Sequence, residues 1–448
     1  MNETRALAAF VSETGFVDLP SGLVDHCKIT VLDALAAGFV GGVQPWARRI
    51  IGVVRGLAGA PEASVVGQAW RADVSRAALA NGVLIGAFEC EPLTGSHASG
   101  TVLPAALAIG ERERLDGAEF LTALALGFEI SARIARTAVG LETVRGFHNP
   151  GTQGPFGAAA AVGKLCGLDE ERLTSALGIA GSSSAGLLEF AWSGGDTKRL
   201  HLGRAAQLGL EAALLAREGV RGPATVLEGR SGYFNAFSMP APMERLVEGL
   251  GTRWAIASPW HKSYATHVTH QGVVEAIQAF KRTRALDAST ITRVVIRGAP
   301  RIMEERHMER APRDVLGGQY SLPFTTAVAL TRDLSDPLAY DDKALWDPLV
   351  RDLATRIELI RVEAAEDTPG VWPAEILIER GSETHALRAG PYTGSPEHPF
   401  TWQDACEKFT RYTASLVETP RATAIIDAVG RLDRAGDLNE LAALLYTS

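Results

Sequence analysis

The sequence predicts a mainly α protein in which a large helical domain carries a smaller α+β domain. Three observations carry this. Residues 1–264 show apolar residues at three- and four-residue spacing almost throughout, the signature of amphipathic and buried helices. From about Trp260 the pattern switches to period two with β-branched residues, the signature of half-buried strands. In the last stretch, Pro420 to Leu445, the helical spacing returns. At 448 residues the chain exceeds one ordinary core, so two domains are expected: 1–264 rejoined by 396–448, with 265–395 as a lid.

Element by element, Leu23 to Phe39, Ser75 to Phe88, Val102 to Arg112, Ala118 to Ala138 and Phe156 to Leu165 read as helices. Leu173 to Ile179 and Arg204 to Ala216 continue the series, rich in Ala and Leu, with small residues that let helices approach closely. Gly181-Ser-Ser-Ser and Ser193-Gly-Gly read as joints between them. Strands are expected at Thr292–Arg297, Arg356–Val362, Ala374–Arg380 and Thr384–Arg388, with helices at Gly272–Lys281 and Thr325–Thr331. Pro420 to Leu445 reads as a last amphipathic helix.

Composition excludes several classes. A net charge of −8 and a pI near 5.8 argue against a nucleic-acid binder, which needs a basic face. Uninterrupted apolar runs fall short of the roughly 18 residues of a spanning helix, and Met1 to Phe10 lack a signal-peptide pattern. Cys27, Cys90, Cys166 and Cys406 are scattered without a CxxC pair, which fits free thiols and a cytoplasmic location. A dinucleotide GxGxxG after a strand, a P-loop, HExxH and Gly-x-Ser-x-Gly are all missing.

Chemistry concentrates in four segments that place ionisable residues beside glycines in apolar surroundings. These are Thr94-Gly-Ser-His97-Ala-Ser-Gly-Thr-Val-Leu-Pro104, Gly146-Phe-His148-Asn-Pro-Gly-Thr152-Gln-Gly-Pro-Phe-Gly157, Gly194-Gly-Asp-Thr-Lys198-Arg-Leu-His201-Leu-Gly-Arg204, and Trp260-His-Lys262-Ser-Tyr-Ala-Thr-His267-Val-Thr-His270. Singly, each histidine reads as a cap or a satisfied polar residue, and each lysine as a solvated one. His267 and His270, at i and i+3, suit metal ligation, but no third acidic or thiol ligand is near in sequence, so no metal site is expected.

Together, and in this order, the segments resemble the MmgE/PrpD family, which includes 2-methylcitrate dehydratase, cis-aconitate decarboxylase and iminodisuccinate epimerase. Val31-Leu-Asp-Ala-Leu-Ala-Ala-Gly, Ala80-Asn-Gly, His97-Ala-Ser-Gly-Thr-Val-Leu-Pro and Gly127-Phe-Glu-Ile carry the resemblance in the first half. Gly154-Pro-Phe-Gly, Gly178-Ile-Ala, Lys198-Arg-Leu-His-Leu-Gly-Arg and Lys262-Ser-Tyr extend it, from about residue 5 to about residue 430. The resemblance implies a helical domain with an α+β lid, a site in the cleft between them, no cofactor or metal, and a homodimer. It places His97, His148, Lys198, Lys262 and His267 along the substrate cleft.

The chemistry expected from that resemblance is removal of a proton next to a carboxylate of a small polycarboxylate, followed by loss of water. The alternatives are decarboxylation, which loses carbon dioxide and reprotonates, and epimerisation, which returns the proton to the opposite face. Histidine suits the acid/base steps and lysine the substrate carboxylates. His97, His148 and Lys198 are therefore the candidate catalytic residues, with Lys262, His267, Glu91 and Arg204 as candidate substrate binders. A non-catalytic polycarboxylate-binding relative is the rival reading.

Two departures from the family bear on this. The family's aspartate cluster before the first histidine is replaced by Gly86-Ala-Phe88-Glu-Cys90-Glu91-Pro92. Either Glu89 or Glu91 keeps the acidic role, or the substrate or reaction has changed. In Tyr320-Ser-Leu-Pro-Phe324, the position matching a family tyrosine is Phe324, which lacks a hydroxyl.

Overall fold

A computed structural model describes residues 2–142, 144–363 and 371–446. Its helices follow the apolar spacing closely. The predicted elements become Ser21–Gly42, Val74–Ile85, Ala98–Glu113, Gly117–Thr137, Asn149–Leu165, Glu170–Ser182 and Thr197–Arg217. Their ends are set by local chemistry: Asp116 accepts from the Glu119 amide while the Glu119 carboxylate accepts from the Asp116 amide, a reciprocal cap that starts the Gly117–Thr137 helix.

Small residues decide how these helices pack. The Thr197–Arg217 helix lies against Asn149–Leu165 and Val74–Ile85. Where Gly82 and Gly203 meet, a Cβ added to Gly82 would come within 2.6 Å of the Gly203 Cα. Only glycine permits that approach. It draws the first turn of the Thr197–Arg217 helix, with Lys198 and Arg199, into the protein interior.

The sheet forms where period-two patterning predicts it. Its order is Ile357–Arg361, Arg293–Gly298, Ala374–Arg380, Glu383–Ala389. The first pair is parallel and the other two are antiparallel. The helix Gln271–Thr283 packs against Glu383–Ala389, and Leu322–Thr331 packs against Ile357–Arg361. Among the described residues of the first half, the one strand ladder is the two-residue pair Ala63–Ser64 with Arg71–Ala72.

The C-terminal return to helix is not one element. Thr419–Gly430 and Asn439–Leu445 are separate helices, joined by a turn through Gly436 and Asp437. The Asp437 carboxylate accepts from the Asn439 amide, a local bond that competes with helix continuation. Ahead of them, Trp402–Thr413 packs on Ser21–Gly42. There Lys408, wholly buried, pairs with Asp33 and donates to the Cys90 carbonyl at 2.8 Å. Asp33 also bonds His261 Nδ1 at 2.6 Å. This buried trio fastens the C-terminal helices beneath the loop that carries Glu89 and Glu91.

Candidate active site

The loop after the Val74–Ile85 helix organises the site. Glu89 sits at φ 55°, a left-handed conformation that non-glycine residues rarely adopt. This turn lets Glu89 and Glu91 bring both carboxylates to Lys262, at 3.0 Å and 3.9 Å. Lys262 arrives because Leu93 and Trp260 exchange backbone hydrogen bonds, which pins its segment beside the acidic loop. Farther along the loop, Gly95 rests on the Gly117–Thr137 helix so closely that a Cβ would stand 2.3 Å from that of Ala132.

Lys198 reaches Glu89 from the opposite side, and both groups are buried. Two lysine side chains therefore share one carboxylate. Burial first, then the neighbouring Lys262, Arg199 and Arg306, hold the Lys198 amine well below its ordinary range. Burial also lowers Lys262, against the opposing pull of Glu91. Arg199 supports the same corner: its guanidinium lies 4.3 Å from the Trp46 ring and donates to the Ala87 carbonyl at 3.0 Å.

Glu91 pairs with His97, the residue that precedes the Ala98–Glu113 helix, at 2.5 Å from Nδ1. Burial alone would raise the Glu91 carboxyl, but Lys262 and the His97 hydrogen bond outweigh it and hold it down at about 2. Glu91 is fully buried whereas the His97 side chain stays 18% exposed, so the imidazole reaches from the carboxylate toward solvent. The ring of His148, the residue before the Asn149–Leu165 helix, lies 6.0 Å from that of His97. His148 Nδ1 is 3.0 Å from His201 Nδ1. Burial, then His97 and His201, push His148 well down, so it is a neutral imidazole near pH 7.

Tyr320 joins these groups to His267. Its ring lies 5.6 Å from Lys198 Nζ and 4.9 Å from the His267 ring. Gln319, beside it, donates to the carbonyls of Phe88 and Ala265 at 2.9 and 3.0 Å, locking the acidic loop to the Lys262 segment. A cavity of about 750 Å³ is lined by Phe190, Arg306 and Tyr320 among others. Phe190 also packs on His148 at 4.9 Å. The cavity thus opens beside the cluster, within the size range of small-molecule sites.

The fold draws His97, His148, Lys198, Lys262, Glu91 and His267 into one connected group. Arg204 does not join it. It is exposed on the Thr197–Arg217 helix and donates to Gln207 at 2.8 Å. Six residues beyond Lys198, at about 100° each, it points to a different face of the helix. Phe324 is buried at the start of the Leu322–Thr331 helix, its amide capped by Ser321, while Tyr320, four residues earlier, lies beside Lys198 and His267. Sequence reasoning passed over Glu89 as a lysine partner and missed Tyr320, His201, Arg306 and His307. The unusual backbone at Glu89 is invisible in sequence, and the others come together only through tertiary packing.

Comparison with known proteins agrees with this architecture. Residues 5–246 match the MmgE/PrpD N-terminal domain and residues 264–434 the MmgE/PrpD C-terminal domain. The chain belongs to the MmgE/PrpD family. Among its relatives are a cis-aconitate decarboxylase-like protein of Aspergillus oryzae, 28% identical over 99% of this chain and 97% of the relative. The cis-aconitate decarboxylase of Aspergillus terreus is 27% identical over 99% and 95%. That of Mus musculus is 25% identical over 99% and 93%. Among the described residues, no helix is long and apolar enough to cross a membrane.

Proposed function

We propose that this chain is a lyase that needs no cofactor, creating and quenching a carbanion next to a carboxylate of a small polycarboxylate. The observation that carries this reading is the Glu91–His97 pair at 2.5 Å, set beside two buried lysines that share Glu89. A carboxylate fixed on Nδ1 leaves Nε2 to exchange a proton with substrate and stabilises the imidazolium that forms. The lysines offset charge that grows as the carbanion develops.

Decarboxylation of a cis-aconitate-like tricarboxylate is the leading reaction, on the strength of relatives that match over nearly the whole chain. The bond between the methylene carbon and its carboxyl breaks, and carbon dioxide leaves. The electron pair spreads through the adjacent double bond to the carbon beside another carboxylate. His97 delivers a proton there, and solvent restores it. Lys198, Lys262 and His267 bind the remaining carboxylates, and His148 acts as a neutral hydrogen-bonding partner. Residues 265–395 form the lid over a body built from 1–264 and 396–448, and the molecule works as a homodimer.

Dehydration, which the sequence motifs put first, is the second reading, because the same pair can remove a proton next to a carboxylate and His148 stands near enough to assist a leaving hydroxyl. Purified protein incubated with cis-aconitate, citrate and 2-methylcitrate separates the two. Carbon dioxide release from cis-aconitate alone supports decarboxylation. An unsaturated product from a hydroxylated substrate without carbon dioxide supports dehydration. Silence of folded protein across the panel refutes both and favours the non-catalytic reading.

A further inference from the structure

We propose that His267, His270 and His307 form a binding site for a divalent transition-metal ion of the zinc type. The sequence shows only the first two. His307 arrives from the turn after the Arg293–Gly298 strand, and the fold sets it against them. The ring centroids are 4.4 Å apart for His267–His307, 4.9 Å for His270–His307 and 5.6 Å for His267–His270. One ring nitrogen from each lies within 4.8 Å of the other two. Tetrahedral zinc with bonds of about 2.0–2.1 Å brings its nitrogens roughly 3.4 Å apart, so modest side-chain rotation closes the site.

Hydrogen bonding gives the independent evidence. His270 is wholly buried, yet neither of its ring nitrogens has a partner. His307, equally buried, donates from Nδ1 to the Tyr320 carbonyl at 2.8 Å, which leaves Nε2 with a lone pair and no partner. A backbone carbonyl on the far nitrogen is how metal-binding histidines are commonly oriented. His267 is held at Nδ1 by Thr269 at 2.9 Å. Buried polar atoms without partners are rare and costly, and two neighbouring imidazoles left so point to a missing ligand. A set of imidazoles without thiolate suits zinc, copper, nickel or iron rather than calcium or magnesium.

Arg306, next to His307 in the chain, is already engaged by Glu304 at 2.9 Å and Glu142 at 3.8 Å. Glu304 also lies 3.9 Å from His307 Nε2, within reach of a fourth coordination position. His267 belongs both to this triad and to the proposed substrate cleft. Metal occupancy therefore withdraws it from substrate, a consequence that rests on the proposed function, whereas metal binding itself does not.

The test uses the full chain without a polyhistidine tag, stripped with chelator. Titration with zinc by calorimetry, and with cobalt followed by its visible absorption, reads binding without reference to turnover. The expected result is one ion per chain at micromolar or tighter affinity, with cobalt bands of tetrahedral intensity. His307→Ala and His270→Ala each weaken it at least tenfold, and His307→Gln, which keeps the side chain's bulk, does the same should a smaller residue unfold the protein. No binding by folded wild-type chain overturns the proposal, as does binding that survives unchanged in the folded variants. Zinc that binds in this way yet leaves turnover intact overturns only the consequence for substrate.

Discussion

Replacing Glu91 by Gln keeps the side chain's shape and removes its charge. In the folded protein Glu91 faces His97 at 2.5 Å and is fully buried, so the loss falls directly on the imidazolium. Two unit charges about 4 Å apart interact by about 4 kcal/mol at an effective dielectric constant near 20. At 1.36 kcal/mol for each tenfold change, loss of that interaction in the step that uses the His97 proton corresponds to up to about three orders of magnitude in rate. The account therefore predicts that kcat falls by about 10²–10³-fold in Glu91→Gln, with KM changing much less because Lys198 and Lys262 remain. Initial rates of carbon dioxide release, with circular dichroism to confirm folding, measure it. Glu91→Asp, which restores a charge, should recover part of the rate. A folded Glu91→Gln enzyme within threefold of wild type refutes the role given to the Glu91–His97 pair.

Further outcomes follow from the same structure. Arg204→Ala should leave kcat/KM within threefold, because Arg204 is exposed and bonded to Gln207; steady-state kinetics decides this. Lys408→Met leaves the Asp33 carboxylate buried without its ammonium partner, so denaturant unfolding should show a loss of about 3–5 kcal/mol. Stability should also fall in acid. The Glu91 carboxyl, held at about 2 when folded, contributes stability that is fully present above its ordinary value of 4.5 and is lost as pH falls from there toward 2. Chemical denaturation between pH 5 and 3 should show this slope in wild type and a shallower one in Glu91→Gln.

Much of the architecture is legible in the sequence for a physical reason. A helix apolar on nearly every face, such as Leu23–Phe39, and a strand of period two, such as Ala374–Arg380, declare themselves. Helices that bury one stripe beneath a polar face are less plain. Pro45–Leu57 and Trp402–Thr413 are of this kind, and the turn at Gly436–Asp437 breaks a stretch, Pro420–Leu445, whose spacing predicts continuous helix. The site shows the same division. His97, Lys198 and Lys262 stand in recognisable local segments. Glu89 acts through a left-handed backbone, Tyr320 and Gln319 through long-range packing, and His307 through a turn on another element. Arg204 shows the converse error: nearness to Lys198 in sequence does not set the direction in which a helical side chain points.

Quenching by a His97 proton of a carbanion formed next to a carboxylate is checked by turnover of cis-aconitate in deuterated water followed by NMR. The account predicts loss of one carbon dioxide and a product with one deuterium on the carbon beside a retained carboxylate, both abolished in folded His97→Ala. Product without deuterium at that carbon, or undiminished turnover by the variant, would contradict it.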